Sequence, residues 1–323
     1  MDVTIVIPTK NAGNILDECL KKVFEQKTKY EYEVICVDSG SSDDTLDILK
    51  KYPVKLYQIS AAEFGHGKTR NYGASKGSGE YIVFITQDAV PASDTWLDSF
   101  IDAMKLDSDI VGGFGIHYPY PDCNIIDKRD LKLHFEGFGL DNTIFSIEDK
   151  ERYEKDEVYR RYLSFFSDNN SCIRRDIWQK YPYDDVEFAE DQMWARKMIE
   201  KGYKKVYCPY APVYHSHNYD IHSYLGRYYD ESKGLYEIYQ TIGVKHWYYI
   251  LPAVMKHNYI DNEYFKSINL SGKELVEAKR YSSRRNYARY VGAYFGGYYH
   301  SYPNWFKDFL DKKISQQYEQ RSK

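Results

Sequence analysis

Cysteine is sparse and unpatterned in this 323-residue sequence: Cys19, Cys36, Cys123, Cys172 and Cys208 are scattered, with no CxxC spacing. That argues against a disulfide scaffold and against a structural zinc site, and points to a reducing compartment. Long apolar runs are missing too. None approaches the roughly 18 residues that cross a bilayer, and the strand-like run Val3 to Ile7 starts too early to leave room for a signal peptide. The expected location is the cytoplasm, with peripheral association at the inner membrane face left open. Excess charge of one sign is also absent, and a formal net charge of -4 does not suit a chain that coats nucleic acid. Glycine-rich nucleotide signatures are lacking as well. Pro8-Thr9-Lys10-Asn11-Ala12-Gly13 follows the first strand where a dinucleotide site needs G-x-G-x-x-G, there is no P-loop, and no clear helix follows Gly112-Gly113-Phe114-Gly115. These absences argue against hydride transfer.

What is present in excess is tyrosine, with 35 residues that crowd the second half as Tyr228-Tyr229, Tyr248-Tyr249 and Tyr298-Tyr299. A ring with an apolar face and a polar tip suits sugars, interfaces and membrane edges, although compositional drift accounts for it equally well. The first half alternates strand and helix. Strands are expected at 3–7, 33–37, 54–59 and 81–85, with helices at 14–26, 44–51 and 71–76 between them, then a helix at 95–106 and a strand at 109–116. Such order implies an α/β fold whose mostly parallel sheet is flanked by helices and binds ligands beyond the C-terminal strand ends. The polar clusters Pro8–Asn11, Asp38–Ser41 and Thr86–Asp88 fall at such ends. Residues 117–160 read as a charged, irregular excursion, 188–201 as a helix and 206–213 as an extended stretch. From about 220 the pattern turns helical, tyrosine-rich and basic, which sets a domain boundary there.

The ordered segments VTIVIPTKNAGNIL, VICVDSGSSDDTLDIL, FGHGKTRNYGA, FITQDAVP, FAEDQMWARKMIEKGY and VYHSHNY resemble family 2 glycosyltransferases of the GT-A, Rossmann-like fold. More narrowly they are similar to the bacterial dTDP-rhamnosyltransferase branch. The resemblance covers about residues 1–225. It implies a nucleotide-sugar-binding and catalytic domain over 1–219 and a helical C-terminal region over 220–323 for acceptor, membrane or oligomer contacts. It also implies an inverting hexosyl transfer, with L-rhamnose from dTDP-L-rhamnose as donor and a glycan or lipid-linked glycan as acceptor, in cell-surface polysaccharide synthesis. A UDP-sugar donor, or a binding module that has lost turnover, stays open as the alternative.

By the same resemblance Asp191 is the general base and Glu190 orients the acceptor. Alone, an acidic first helical turn is common and favours the helix dipole. Asp38 is expected on the base or ribose, with Pro8 and Thr9 lining that pocket; a turn-forming Asp is the bland reading. Arg70 is expected near the nucleotide, where a guanidinium reaches phosphate or base edges, with Gly65 and Gly67 allowing close approach and His66 as an auxiliary. Thr86-Gln87-Asp88 replaces the family's Asp-x-Asp, so Asp88 alone matches the metal carboxylate and Thr86 and Gln87 lie on the donor side. His215 completes a site for Mn²⁺ or Mg²⁺, with His217 as its alternative; the lost Asp weakens the metal expectation. Trp194 is expected to stack on a sugar, and Arg196 to pair with carboxylates or diphosphate. Lys279 to Tyr290 interleaves basic and aromatic residues and is read either as a lipid-docking helix or as a solvated one.

Overall fold

The structure is a computed structural model and describes residues 1–186 and 188–318. It divides into two compact units, residues 1–123 with 128–216, and residues 124–127 with those from 217 onward. The first unit begins β1 (Val3–Thr9), α1 (Asn14–Phe24), β2 (Tyr32–Asp38), α2 (Thr45–Leu49), β3 (Lys55–Gln58), α3 (His66–Ser75), β4 (Tyr81–Ile85), β5 (Val90–Pro91), α4 (Trp96–Met104) and β6 (Ile110–Tyr118). It continues through α5 (Ile125–Glu136, of which residues 128–136 belong to this unit), β7 (Thr143–Phe145), α6 (Lys150–Lys155), α7 (Glu157–Ser164), β8 (Asn170–Arg174), α8 (Arg175–Lys180), α9 (Glu190–Glu200) and β9 (Lys204–Tyr214).

The strands form one sheet in the order β3-β2-β1-β4-β8-β6-β9-β5, with β7 also on β9. Pairing is parallel across β3-β2-β1-β4 and between β6 and β9, and antiparallel where β8, β5 and β7 join. Side-chain alternation explains why the central strands read as unbroken apolar runs. Along β1, Val3, Ile5 and Ile7 enter the core shared with α1 and α4, while Val6 enters the core shared with α3, α8 and α9. On β4, Val83 and Ile85 face the first core, Ile82 and Phe84 the second. Each such fully buried side chain contributes about 1.5–3 kcal/mol. Strand β9 carries Pro209 and Pro212, which lack ladder N–H groups. Its register with β6 jumps there, from Gly115↔Cys208 to His117↔Val213.

Two expectations need correction. Helix α3 starts at His66, not near 71, because its buried face is built from Gly67, Thr69, Arg70, Gly73 and Ala74, small and polar residues that leave no apolar stripe. Residues 117–160 are not irregular but hold the end of β6 and four further elements. Asp149 and Asp156 cap α6 and α7 by accepting from Arg152 N and Tyr159 N, and Phe135, Phe138, Phe145 and Tyr153 bury the backs of these charged segments.

The second unit is helical, with α10 (Ile221–Tyr239), α11 (Ile250–Ser267), α12 (Gly272–Gly297) and α13 (Asn304–Ile314). Helices α10 and α12 touch through glycines: a Cβ on Gly292 would stand 2.5 Å from Leu225 O, and one on Gly296 2.2 Å from Tyr229 O. Buried Asp261 joins α11 to α12 by accepting from Ser282 Oγ and Asn286 Nδ2. The basic-aromatic run on α12 is divided. Arg285 turns inward to Asp127 at 2.8 Å, while Lys279, Arg280, Arg284 and Tyr287 are exposed. Among the described residues no helix is long and apolar enough to cross a membrane.

Candidate active site

The loops after β1, β2 and β4 meet at one end of the sheet. Asp38 ends β2 with a fully buried side chain. Its Oδ1 accepts from the N–H groups of Gly40 and Ser41 at 3.0 and 2.9 Å, and its Oδ2 from the hydroxyls of Thr9 and Ser41 at 3.1 and 2.5 Å. Every acceptor direction is taken by the protein, so Asp38 shapes the turn and pins β1 to β2. The carboxylate expected on the base or ribose is thus held in the turn between β2 and the following loop. Thr9 is buried with it, and Pro8 is half-buried on the same strand end. Gln87 is likewise occupied: its Oε1 accepts from Lys10 N at 2.8 Å and its Nε2 donates to Lys10 O at 3.1 Å. That two-point contact locks the β1 loop to the β4 loop.

Beyond Gln87 the half-buried Asp88 lies with Oδ1 3.7 Å from Nε2 of His215, just past the end of β9. The separation is longer than a hydrogen bond, and a carboxylate oxygen beside an imidazole nitrogen is a donor set that fits Mn²⁺ and, less well, Mg²⁺. His215 is placed by its own N–H to Tyr118 O at 2.9 Å. Its ring stands edge-on to His117 at 5.3 Å. Burial, helped by the neighbouring His215 and His134, pushes the His117 imidazole well down, so it stays neutral beside the pair. His217 lies two residues along, at the start of the second unit, exposed and stacked on Tyr219. Thr86 occupies the position of the missing carboxylate, and its hydroxyl is buried without a hydrogen-bond partner among the described residues.

The acidic pair sits at the start of α9. The helix is preceded by Ala189 in the left-handed region, φ 59 and ψ 34, a conformation that costs a non-glycine residue about 1 kcal/mol. Glu190, expected to orient the acceptor, turns inward, is buried and pairs with Arg70 at 2.5 Å. Arg70, expected near the nucleotide, also lies 3.4 Å from Asp168 and is itself 5% exposed, so two carboxylates engage its guanidinium. The rest of the His66–Asn71 segment serves the same cluster. A Cβ on Gly67 would stand 2.7 Å from Asp184 O and 3.0 Å from Tyr183 Cβ. Asn71 clasps the Tyr183 backbone through both amide atoms, at 2.8 and 3.2 Å. The glycine therefore admits protein, not ligand.

Asp191 is half-buried, the most exposed of the three acids. Its Oδ2 accepts from Asp168 N at 3.1 Å and its Oδ1 from Gln192 N at 2.7 Å. Burial, then repulsion from Glu190 and Asp168, pushes its carboxyl well above the usual range, and Arg70 only partly offsets this. Burial likewise raises Glu190 and Asp168. The turn holding Asp168 also joins the acids to the β4 loop, since Asn169 O accepts from Thr86 N at 3.5 Å. Asp168 escaped the sequence reading: it lies in no recognised segment, and apart from Ser171 its side-chain partners Tyr183 and Arg70 are 15 and 98 residues away along the chain.

Three auxiliary residues fall elsewhere. Trp194, expected to stack on a sugar, is 2% exposed, packs on Phe166 and Tyr183, and donates to Tyr181 O. Its apolar ring is the inward face of an amphipathic helix. Arg196 pairs with Glu200 one turn on, at 2.8 Å, as an ordinary helix-surface pair. His66 opens α3 with its ring edge-on to Phe64 at 5.1 Å.

Residues 4–181 match the family described as glycosyl transferase family 2. The O-antigen chain rhamnosyltransferase WbaN of Salmonella anatum is 32% identical over 233 residues, covering 70% of this chain and 70% of its own. RfbN of Salmonella typhimurium, also named an O-antigen chain rhamnosyltransferase, is 31% identical and covers 71% of each. Among solved structures, Staphylococcus aureus TarS 1–349 in complex with UDP covers 93% of this chain and 92% of its own, at TM-score 0.54 and 14% identity. The mannosyltransferase PcManGT of Pyrobaculum calidifontis, in complex with GDP-Man and Mn²⁺, covers 98% and 81%, at TM-score 0.50 and 16% identity. The chain belongs to glycosyl transferase family 2, has the fold of that group, and is a glycosyltransferase.

Proposed function

We infer that this glycosyltransferase moves L-rhamnose from dTDP-L-rhamnose to a hydroxyl of a glycan, free or lipid-linked, during assembly of a cell-surface polysaccharide. The observation that carries the donor assignment is the match, over about 70% of both chains, to two proteins named as O-antigen chain rhamnosyltransferases. Asp191 supports the chemistry, being the one half-exposed carboxylate at the rim of a buried acidic group. A raised pKa makes it a stronger base than an ordinary aspartate. In the reaction the acceptor oxygen attacks the anomeric carbon from the face opposite the diphosphate and passes its proton to Asp191. The bond from that carbon to the diphosphate oxygen breaks, and the nucleoside diphosphate leaves with the electron pair. Inversion follows from the single displacement.

Asp88 and His215 are the residues that would hold a divalent cation, with His217 as the alternative ligand along the chain. Such an ion, when bound, neutralises charge on the leaving diphosphate. Thr86 and the β1 loop at Pro8 and Thr9 would line the donor side. Asp191→Asn is expected to lower turnover at least 1000-fold while donor affinity stays within about threefold, since only the base is lost. Transfer assays and calorimetry with dTDP-L-rhamnose check both. Near-normal turnover removes Asp191 from the base role. A donor panel in which UDP-sugars are used and dTDP-L-rhamnose is not removes the rhamnose assignment.

A further inference from the structure

Asp168 has the least exposed carboxylate of the acidic group, at 1%. It lies in the turn that leads into β8, facing α3, α9 and the loop after α8. Its Oδ1 accepts from Ser171 Oγ at 2.6 Å and from the phenol of Tyr183 at 2.8 Å, and Oδ2 faces Arg70 Nε at 3.4 Å. Tyr183 is fixed in turn, 4% exposed, packed on Phe84 and Trp194 and clasped by Asn71. The side chain of Asp168 is thus hydrogen-bonded through Oδ1 and ion-paired through Oδ2, and its backbone N–H donates to Asp191 Oδ2.

We propose that Asp168, held by Ser171, Tyr183 and Arg70, is a positioning residue for Asp191: it aims one carboxylate oxygen of the base and supplies the negative charge beside it. The inference rests on Asp191 being the base. Three groups of negative sign and one of positive sign share this cluster: Asp168, Glu190 on α9 and Asp191 itself, against Arg70 on α3. The neutral phenol of Tyr183, from the loop after α8, completes the surroundings of Asp191. One guanidinium cannot balance three carboxylates, so the cluster favours keeping a proton. Removing the Asp168 charge while keeping its shape makes Asp191 easier to ionise and a weaker base.

The test is Asp168→Asn in the full chain, measured as pH profiles of kcat and kcat/KM with dTDP-L-rhamnose and acceptor. The expected result is an acid limb moved down by roughly one pH unit, kcat lowered about 10- to 100-fold, and donor KM within about twofold. Tyr183→Phe, which removes one donor to Asp168 and no packing, is expected to show a smaller loss in kcat with donor KM unchanged, and it carries the test if Asp168→Asn does not fold. A folded Asp168→Asn with an unmoved acid limb and unchanged kcat overturns the proposal, as does an unchanged Tyr183→Phe where Asp168→Asn is unfolded. Failure of the premise looks different: Asp191→Asn itself then keeps its turnover.

Discussion

Asp191 lies within reach of more negative than positive charge, and that has a consequence for stability as well as for rate. Its pKa in the folded protein is raised, so the native state holds a proton that the unfolded chain releases near pH 4. The contribution to stability is therefore complete below that pH and is lost as pH rises through the raised value. Asp191→Asn, inactive though it should be, is expected to be more stable than the wild type at pH 8 by about 1 kcal/mol and so to unfold at a higher temperature. The gap should close at pH 4, and thermal melts at the two pH values check this. In wild-type kinetics the acid limb of kcat/KM should lie above the ordinary aspartate range, readable from a profile between pH 4 and 8. Lys205 shows how little of such chemistry a sequence displays. It is 2% exposed, over the rings of Phe114 and Phe145, and burial pushes its ammonium well down. Glu190, Asp191, Asp88 and His215 could be named from the sequence because each lies in a short recognisable segment. Asp168 could not, and the inward turn of Arg70 and Glu190 toward each other is a matter of side-chain direction that no spacing encodes.

At the scale of elements, the strands were legible because burial on both faces gives unbroken apolar runs, as in β1 and β4. Helix α3 was half missed because glycine, threonine and arginine supply its buried face. The small elements between 117 and 160 were missed because surface charge masks the aromatic backs that anchor them. Glycines set the closeness of α10 and α12. Alanine at 296 brings a Cβ to 2.2 Å from a backbone oxygen, which cannot yield without parting the helices. The gain in helix propensity, about 1 kcal/mol, is set against an overpacking cost of about 1–3 kcal/mol. Gly296→Ala is therefore expected to lower the melting temperature, whereas Gly243→Ala, which meets open space, is expected to leave it unchanged. Differential scanning of both variants decides it.

For the whole molecule, the class was readable from strand and helix order, while the antiparallel joins of β8, β5 and β7 were not, since short strands carry no sign of direction. The five cysteines are all buried and none is in a disulfide, with the Cys208 thiol pushed up to about 11 by burial. Buried, protonated thiols are inert. Native protein should therefore release almost no colour with a thiol reagent over the minutes in which denatured protein reports all five. The clasp between Gln87 and the Lys10 peptide has a wider mechanical meaning. A side-chain amide here does what a neighbouring strand would do, satisfying both the backbone donor and the backbone acceptor of one residue, Lys10. The floor beneath the strand ends is thus stitched crosswise as well as lengthwise. A guest that displaces one loop has either to break both of these hydrogen bonds or to draw the other loop along with it.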